Sequence, residues 1–163
     1  DELPPYCVVG KDENGGYRVI KTALVTEALE AEGTTVKVNK SHLFAVGDFV
    51  TVGGDLKGAS DKITAIDKSN DGYDVITLEA KIGAAKVGQV LVGVKEKSTA
   101  GKATLVTSSS ELVITLSKVD LTVANQSCGL MVRGTISEGN MPFPIDAGLK
   151  ALMSLIRFVN KKS

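Results

Sequence analysis

Between Thr34 and Val94 the chain is a succession of short β-branched runs, each closed by turn residues. Thr35-Val36-Lys37-Val38 alternates cleanly. Val46 to Val52 ends at Gly53-Gly54, and Ile63 to Asp67 runs into the polar turn Ser69-Asn70-Asp71-Gly72. Asp74 to Leu78 and Val87 to Val92 complete the series. Five short strands at this spacing predict a small closed, SH3-like β-barrel over residues 34–94. Val46-Gly47-Asp48 and Val87-Gly88-Gln89 read as similar barrel corners, where glycine lets the chain bend into a strand and Asp48 bonds nearby backbone amides. Composition agrees. Val, Ile, Leu and Thr dominate, Gly numbers 17, and there is no Trp beside three Tyr and four Phe.

The flanks are also β-rich. Leu3-Pro4-Pro5-Tyr6 is an extended start, because each proline biases its predecessor away from helix. Cys7 to Val9 and Tyr17 to Val25, joined by the turn Glu13-Asn14-Gly15-Gly16, predict a hairpin in an N-terminal segment 1–33. Thr26 to Glu32 is a short helix or a charged loop ending at Gly33. After a polar linker, Lys95 to Gly101, strands are expected at Ala103–Val106, Leu112–Leu116 and Leu121–Val123, with Ser108-Ser109-Ser110 a loop. They begin a second β-rich lobe over 95–163.

That lobe ends in an unusual order of elements. Leu130 to Ile136 reads as a strand. Met141-Pro142-Phe143-Pro144 is a stiff corner, since two prolines fix φ and remove two backbone donors. Apolar residues at Leu149, Leu152, Met153 and Ile156 then form the stripe of one short amphipathic helix within Ile145 to Ile156, with Asp146 as its N-cap. Phe143 should project from the corner into a core pocket or a neighbouring subunit, the core being favoured.

Chemistry is sparse. Nineteen basic and nineteen acidic side chains leave a formal net charge of zero, so no global field draws nucleic acid. No apolar run approaches the ~20 residues that span a bilayer, and no secretory leader is legible. Cys7 and Cys128 sit among apolar neighbours and are expected to be two buried, reduced thiols. His42, the only histidine, has no nucleophile or orienting partner at a suggestive spacing and is expected to be structural. Asp67, Asp71 and Asp74 lack the spacing of a calcium loop and read as solvated turn carboxylates. Ser108–Ser110 lacks a nucleophile's context. Catalytic, cofactor-binding and metal-binding residues are therefore not expected, and neither is enzymatic activity. Arg133 must reach solvent or pair with an acid, for which Glu138 is the candidate.

The segment "LMVRGTISEGNMPFPIDAGLKALMSLIRFV" resembles the C-terminal signature of head fibre and head decoration proteins of tailed bacteriophages and prophages, in which R-G-x-[IV]-x-E precedes a P-[FY]-P turn and a short helix. The likeness is close over roughly the last quarter of the chain. It is weaker at "HLFAVGDFVTVGG" and "DKITAIDKSNDGYDVITLEAKIGAA", and poor in the N-terminal third. The resemblance implies a virion structural protein on the capsid surface. It implies the major capsid protein as partner and a homo-oligomer, a trimer being favoured; the charge balance and the lack of a long apolar run lead to the expectation of no nucleic-acid and no membrane partner. Arg133, Glu138, Met141, Pro142, Phe143 and Pro144 are the assembly-interface candidates. A carbohydrate- or host-surface-binding β module is the alternative, disfavoured by the few aromatics available for stacking. A wall-degrading hydrolase needs paired carboxylates that no spacing supplies.

Overall fold

The computed structural model describes residues 2–54, 56–107, 112–123 and 126–160. The fold is mainly β with one short helix. The N-terminal segment supplies β1 (Glu2–Leu3), β2 (Val8–Lys11), β3 (Tyr17–Val19) and β4 (Thr22–Leu24). The middle supplies β5 (Thr35–Val38), β6 (Phe49–Val52), β7 (Ser60–Asp67), β8 (Asp74–Leu78) and β9 (Val90–Val94). The rest supplies β10 (Leu112–Thr115), β11 (Val119–Asp120), β12 (Leu130–Met131), β13 (Gly134–Ser137), a 3-10 turn at Glu138–Asn140, α1 (Ala147–Ala151) and β14 (Ile156–Val159).

The largest sheet has the order β4-β9-β6-β7-β8-β5, and a smaller one the order β12-β10-β2-β3. All their pairings are antiparallel, as is the small β1–β11 pair. The β2–β3 hairpin thus joins the C-terminal lobe through β10, while β4 crosses to the larger sheet.

The larger sheet does not close into the expected barrel. Its outer strands β4 and β5 meet only at the Val25–Val38 bridge. Thr26 N–H donates to Lys37 O and Asn39 N–H to Leu24 O, both at 2.9 Å. The Leu24 N–H is taken by the Asn39 side chain, Oδ1 accepting at 2.7 Å. A side-chain acceptor stands where the next rung would be, so the ladder stops.

β9 explains how the two lobes are held together. All five of its residues are buried. Successive side chains of a strand face opposite ways. Leu91 enters the core of the large sheet, with Val36, Val38, Val50, Ile63 and Ile76. Val90 and Val92 enter the other core, with Val8, Ile20, Ile114, Ile136, Leu149 and Ile156. β4 is divided in the same sense, Ala23 facing the first core and Leu24 packing on the second.

One open alternative is decided and one local expectation changes. Thr26 to Glu32 is a loop, because Leu29 is buried and its N–H donates to Ala85 O at 2.8 Å, a tertiary bond that a single isolated helical turn cannot outweigh. The C-terminal helix is shorter than its stripe. α1 ends at Ala151, and Ile156 reaches the same core from β14. β13 and β14 run parallel, Gly134 opposite Ile156. A parallel pair needs a long crossover, and the 3-10 turn, the proline corner and α1 together supply it.

Candidate functional site

The crossover between β13 and β14 carries most of the residues singled out as interface candidates, and it is docked on the large sheet at two places. Thr22, on β4 and only 3 % exposed, donates its hydroxyl to Pro144 O at 2.6 Å. Pro144 has a carbonyl to offer but no N–H, so a side-chain donor fixes the corner without a strand ladder.

The second place is the start of α1. Asp146 caps the helix as expected, accepting from Gly148 N–H at 2.7 Å. The buried carboxylate lies against the Gly53-Gly54 turn. A Cβ on Gly53 would come within 2.6 Å of both Asp146 Oδ1 and Val90 O, and a Cβ on Gly148 within 2.4 Å of Gly54 O. Gly53 and Gly148 thus leave no room for a side chain, while Gly54 contributes its carbonyl oxygen to the contact. The sequence marks the first two as a turn but gives no sign of this packing role.

Around the corner the candidates separate. Met141 and Ile145 pack on the second core; Phe143 is half-buried and lies outside that cluster, so it does not fill the favoured core pocket. Glu138 pairs with Lys150 at 2.6 Å, and the Lys150 ammonium lies 5.8 Å from the centre of the Phe158 ring. Arg133 is exposed and has no ion pair among the described residues. Glu138 therefore braces α1 against the 3-10 turn. Among the described residues, five of the nine exposed large apolar side chains, Leu116, Leu121, Val123, Val132 and Leu155, belong to the C-terminal lobe. The register of β13 with β14 brings Val132 and Leu155 to the same end of that pair.

His42 sits elsewhere, in a closed polar cluster. Its side chain is fully buried and Nε2 lies 3.0 Å from Asp74 Oδ2; Lys40 Nζ lies 2.7 Å from Asp74 Oδ1. His42 Nδ1 accepts from Phe44 N–H at 3.2 Å, so Nε2 carries the proton and donates it to the carboxylate. Burial holds the imidazole below its ordinary range, with Asp74 opposing in part. Burial works to raise the Asp74 carboxyl, but Lys40 and His42 outweigh it and leave it below the usual carboxylate range. Both ring nitrogens are engaged inside the protein. Asp74 is thus no solvated turn carboxylate. It is buried, whereas Asp67 and Asp71 are exposed, Asp67 accepting from Ser69 N–H at 2.9 Å. Among the described residues no group of three or more His, Cys, Asp or Glu converges on a common point.

Both cysteines are free, but only Cys7 is buried. Burial pushes its thiol up to about 12, and it donates to Pro4 O at 3.1 Å. Cys128 is half-exposed, because the strand that follows it, β12, is two residues long and only half-buried. Its burial works to raise the thiol, and hydrogen bonds with Ser117 outweigh that and lower it. Labelling of the native protein is expected to consume one thiol equivalent quickly, and the second only on unfolding. Two slow equivalents would contradict this placement. Ser108-Ser109-Ser110 lies outside the described residues.

Among the described residues no helix is long and apolar enough to cross a membrane. Comparisons of the chain with protein-family models, with characterised proteins and with solved structures each found no match.

Proposed function

We propose that this chain is a non-enzymatic virion protein that decorates the head of a tailed bacteriophage, seated on the major capsid protein as a homotrimer. The observation that carries the reading is the surface of the C-terminal lobe. Among the described residues, five of the nine exposed large apolar side chains belong to it, and the Phe143 of its proline corner lies outside both cores. Val132 and Leu155, brought to one end of the β13–β14 pair, are the exposed apolar surface it offers for protein contact. The segment behind it is held by Thr22 and by the glycine contact, so the surface is presented rigidly and little ordering entropy opposes binding. His42, with both nitrogens engaged in a closed cluster, supports a structural over a catalytic role. The mechanism is geometric. Copies related by local symmetry add contacts between capsomers, and many weak sites acting together give high avidity.

Light scattering at micromolar protein is expected to give a trimer's mass. Purified heads lacking decoration are expected to take up the chain at symmetry-related points visible by electron microscopy. A monomer that leaves the heads bare would overturn the proposal. Phe143→Ala tests the corner. Because Phe143 is outside the core, folding stability is expected to fall by no more than about 1 kcal/mol. Assembly is expected to weaken by ~2 kcal/mol or more, the loss typical of an interface anchor. Unchanged mass and uptake in that variant would remove Phe143 from the interface.

A further inference from the structure

β3 is the outer strand of its sheet, and all three of its residues line a cleft of about 1090 Å³. The register shows how the cleft arises. β4 pairs with β9, Thr22 opposite Val92, and beyond them Gly93 N–H donates to Lys21 O at 2.8 Å. Continued, that register would set Val19 opposite Lys95. Instead β9 turns away. Val94 bridges Leu105, and Lys95 N–H donates to Thr104 O at 2.8 Å. β3 on one side and the Val94–Leu105 ribbon on the other both line the cleft, with no strand of the described residues between them.

The hydrogen-bond parity of β3 makes this edge specific. In the β2–β3 hairpin Ile20 N–H donates to Val8 O at 2.9 Å and Asp12 N–H to Gly16 O at 2.7 Å. Antiparallel ladders alternate, so Arg18 is the bonded partner of Gly10, and the N–H and C=O of Tyr17 and Val19 face outward. Those groups carry no hydrogen bond among the described residues. Charge around the cleft is nearly balanced. Arg18 pairs with Asp12, Lys21 with Asp48 and Lys95 with Glu13, while Glu96 has no ion pair among the described residues.

We propose that the cleft is a strand-docking site, in which an extended segment of a partner polypeptide adds to β3 through the backbone of Tyr17 and Val19. Main-chain bonds supply affinity in this mode, and alternate side chains supply specificity. The charge balance selects a segment that is largely uncharged and carries one Lys or Arg to meet Glu96. A second copy's β3 is the poorer occupant. In the one antiparallel register that pairs all three residues of β3 with its symmetry mate, Arg18 stands against Arg18, and like charges directly opposed destabilise. The inference stands on the sheet edge and does not rest on the decoration reading.

A random-peptide library panned against the full chain tests it. Peptides alternating β-branched residues and carrying one base are expected to be enriched. A synthetic copy of an enriched peptide is expected to slow hydrogen exchange at the Tyr17 and Val19 amides. N-methylation of that peptide at one set of alternate residues should abolish binding and at the other set should leave it. Val19→Pro removes an outward N–H without removing a bond of the β2–β3 ladder, and is expected to weaken binding by about tenfold or more. Glu96→Gln should remove the preference for the base. Should Val19→Pro not fold, the two N-methyl peptides decide alone. No enrichment, equal binding by both N-methyl peptides, or shifts at these amides caused only by a neutral oligosaccharide such as maltohexaose would overturn the proposal.

Discussion

Asp74→Ala is expected to lower the unfolding free energy by ~3 kcal/mol, one of the two largest losses of any single change considered for this chain. The carboxylate is buried and answers two donors, His42 Nε2 and Lys40 Nζ. Its removal leaves the imidazole N–H buried without its acceptor, and an unmet buried donor costs about 1–3 kcal/mol by itself. Thermal melting and denaturant midpoints measure the loss, and a change under about 1 kcal/mol would mean that the cluster is not the brace described. The pH dependence follows from the same groups. The folded His42 binds its proton less readily than the unfolded residue, whose pKa is about 6.5. Its stabilising effect is therefore complete above that pH and declines as pH falls through and below it. The folded Asp74 also titrates below its unfolded value, so its contribution is lost further down, as pH falls through the folded pKa. Both act in the same direction, and acid weakens the fold. His42→Gln should flatten the upper part of that decline and leave the lower part.

Gly148→Ala is expected to destabilise the protein by ~1–3 kcal/mol, against the trend for its local structure. In a helix interior alanine is better than glycine by about 1 kcal/mol, and Gly148 is a helical residue of α1. The added methyl would stand 2.4 Å from Gly54 O and 2.8 Å from Asp146 Oδ2, so the helix would have to lift off the turn that it caps against. Backbone oxygen cannot move aside as a flexible side chain could. Chemical denaturation settles the sign. A more stable variant would show that α1 is free to shift and that the glycine contact is loose.

The residues that were legible share one property: their structure follows from local period. The alternation in Thr35–Val38 and Asp74–Leu78, the glycine turns, and Asp146 as a cap all appear where the sequence puts them. Asp74 carried a local signal as well, since it shares the inward face of its strand with Ile76 and Leu78. What did not follow from period is decided between distant residues. The missing barrel closure turns on one side chain, Asn39, meeting Leu24 N–H. The pairing of Glu138 with Lys150 depends on where a crossover helix lands. Cys128 is half-exposed because the apolar pair after it, Leu130-Met131, forms an edge strand with limited cover. In the C-terminal segment the stripe Leu149, Leu152, Met153 and Ile156 correctly named an inward-facing set, but two kinds of element supply it.

β9 has a consequence for how the molecule comes apart. Because Leu91 serves one core while Val90 and Val92 serve the other, the strand cannot leave either without stripping both. The chain is therefore expected to melt as a single cooperative unit. Strain applied to the C-terminal lobe is shared through that one strand with the large sheet.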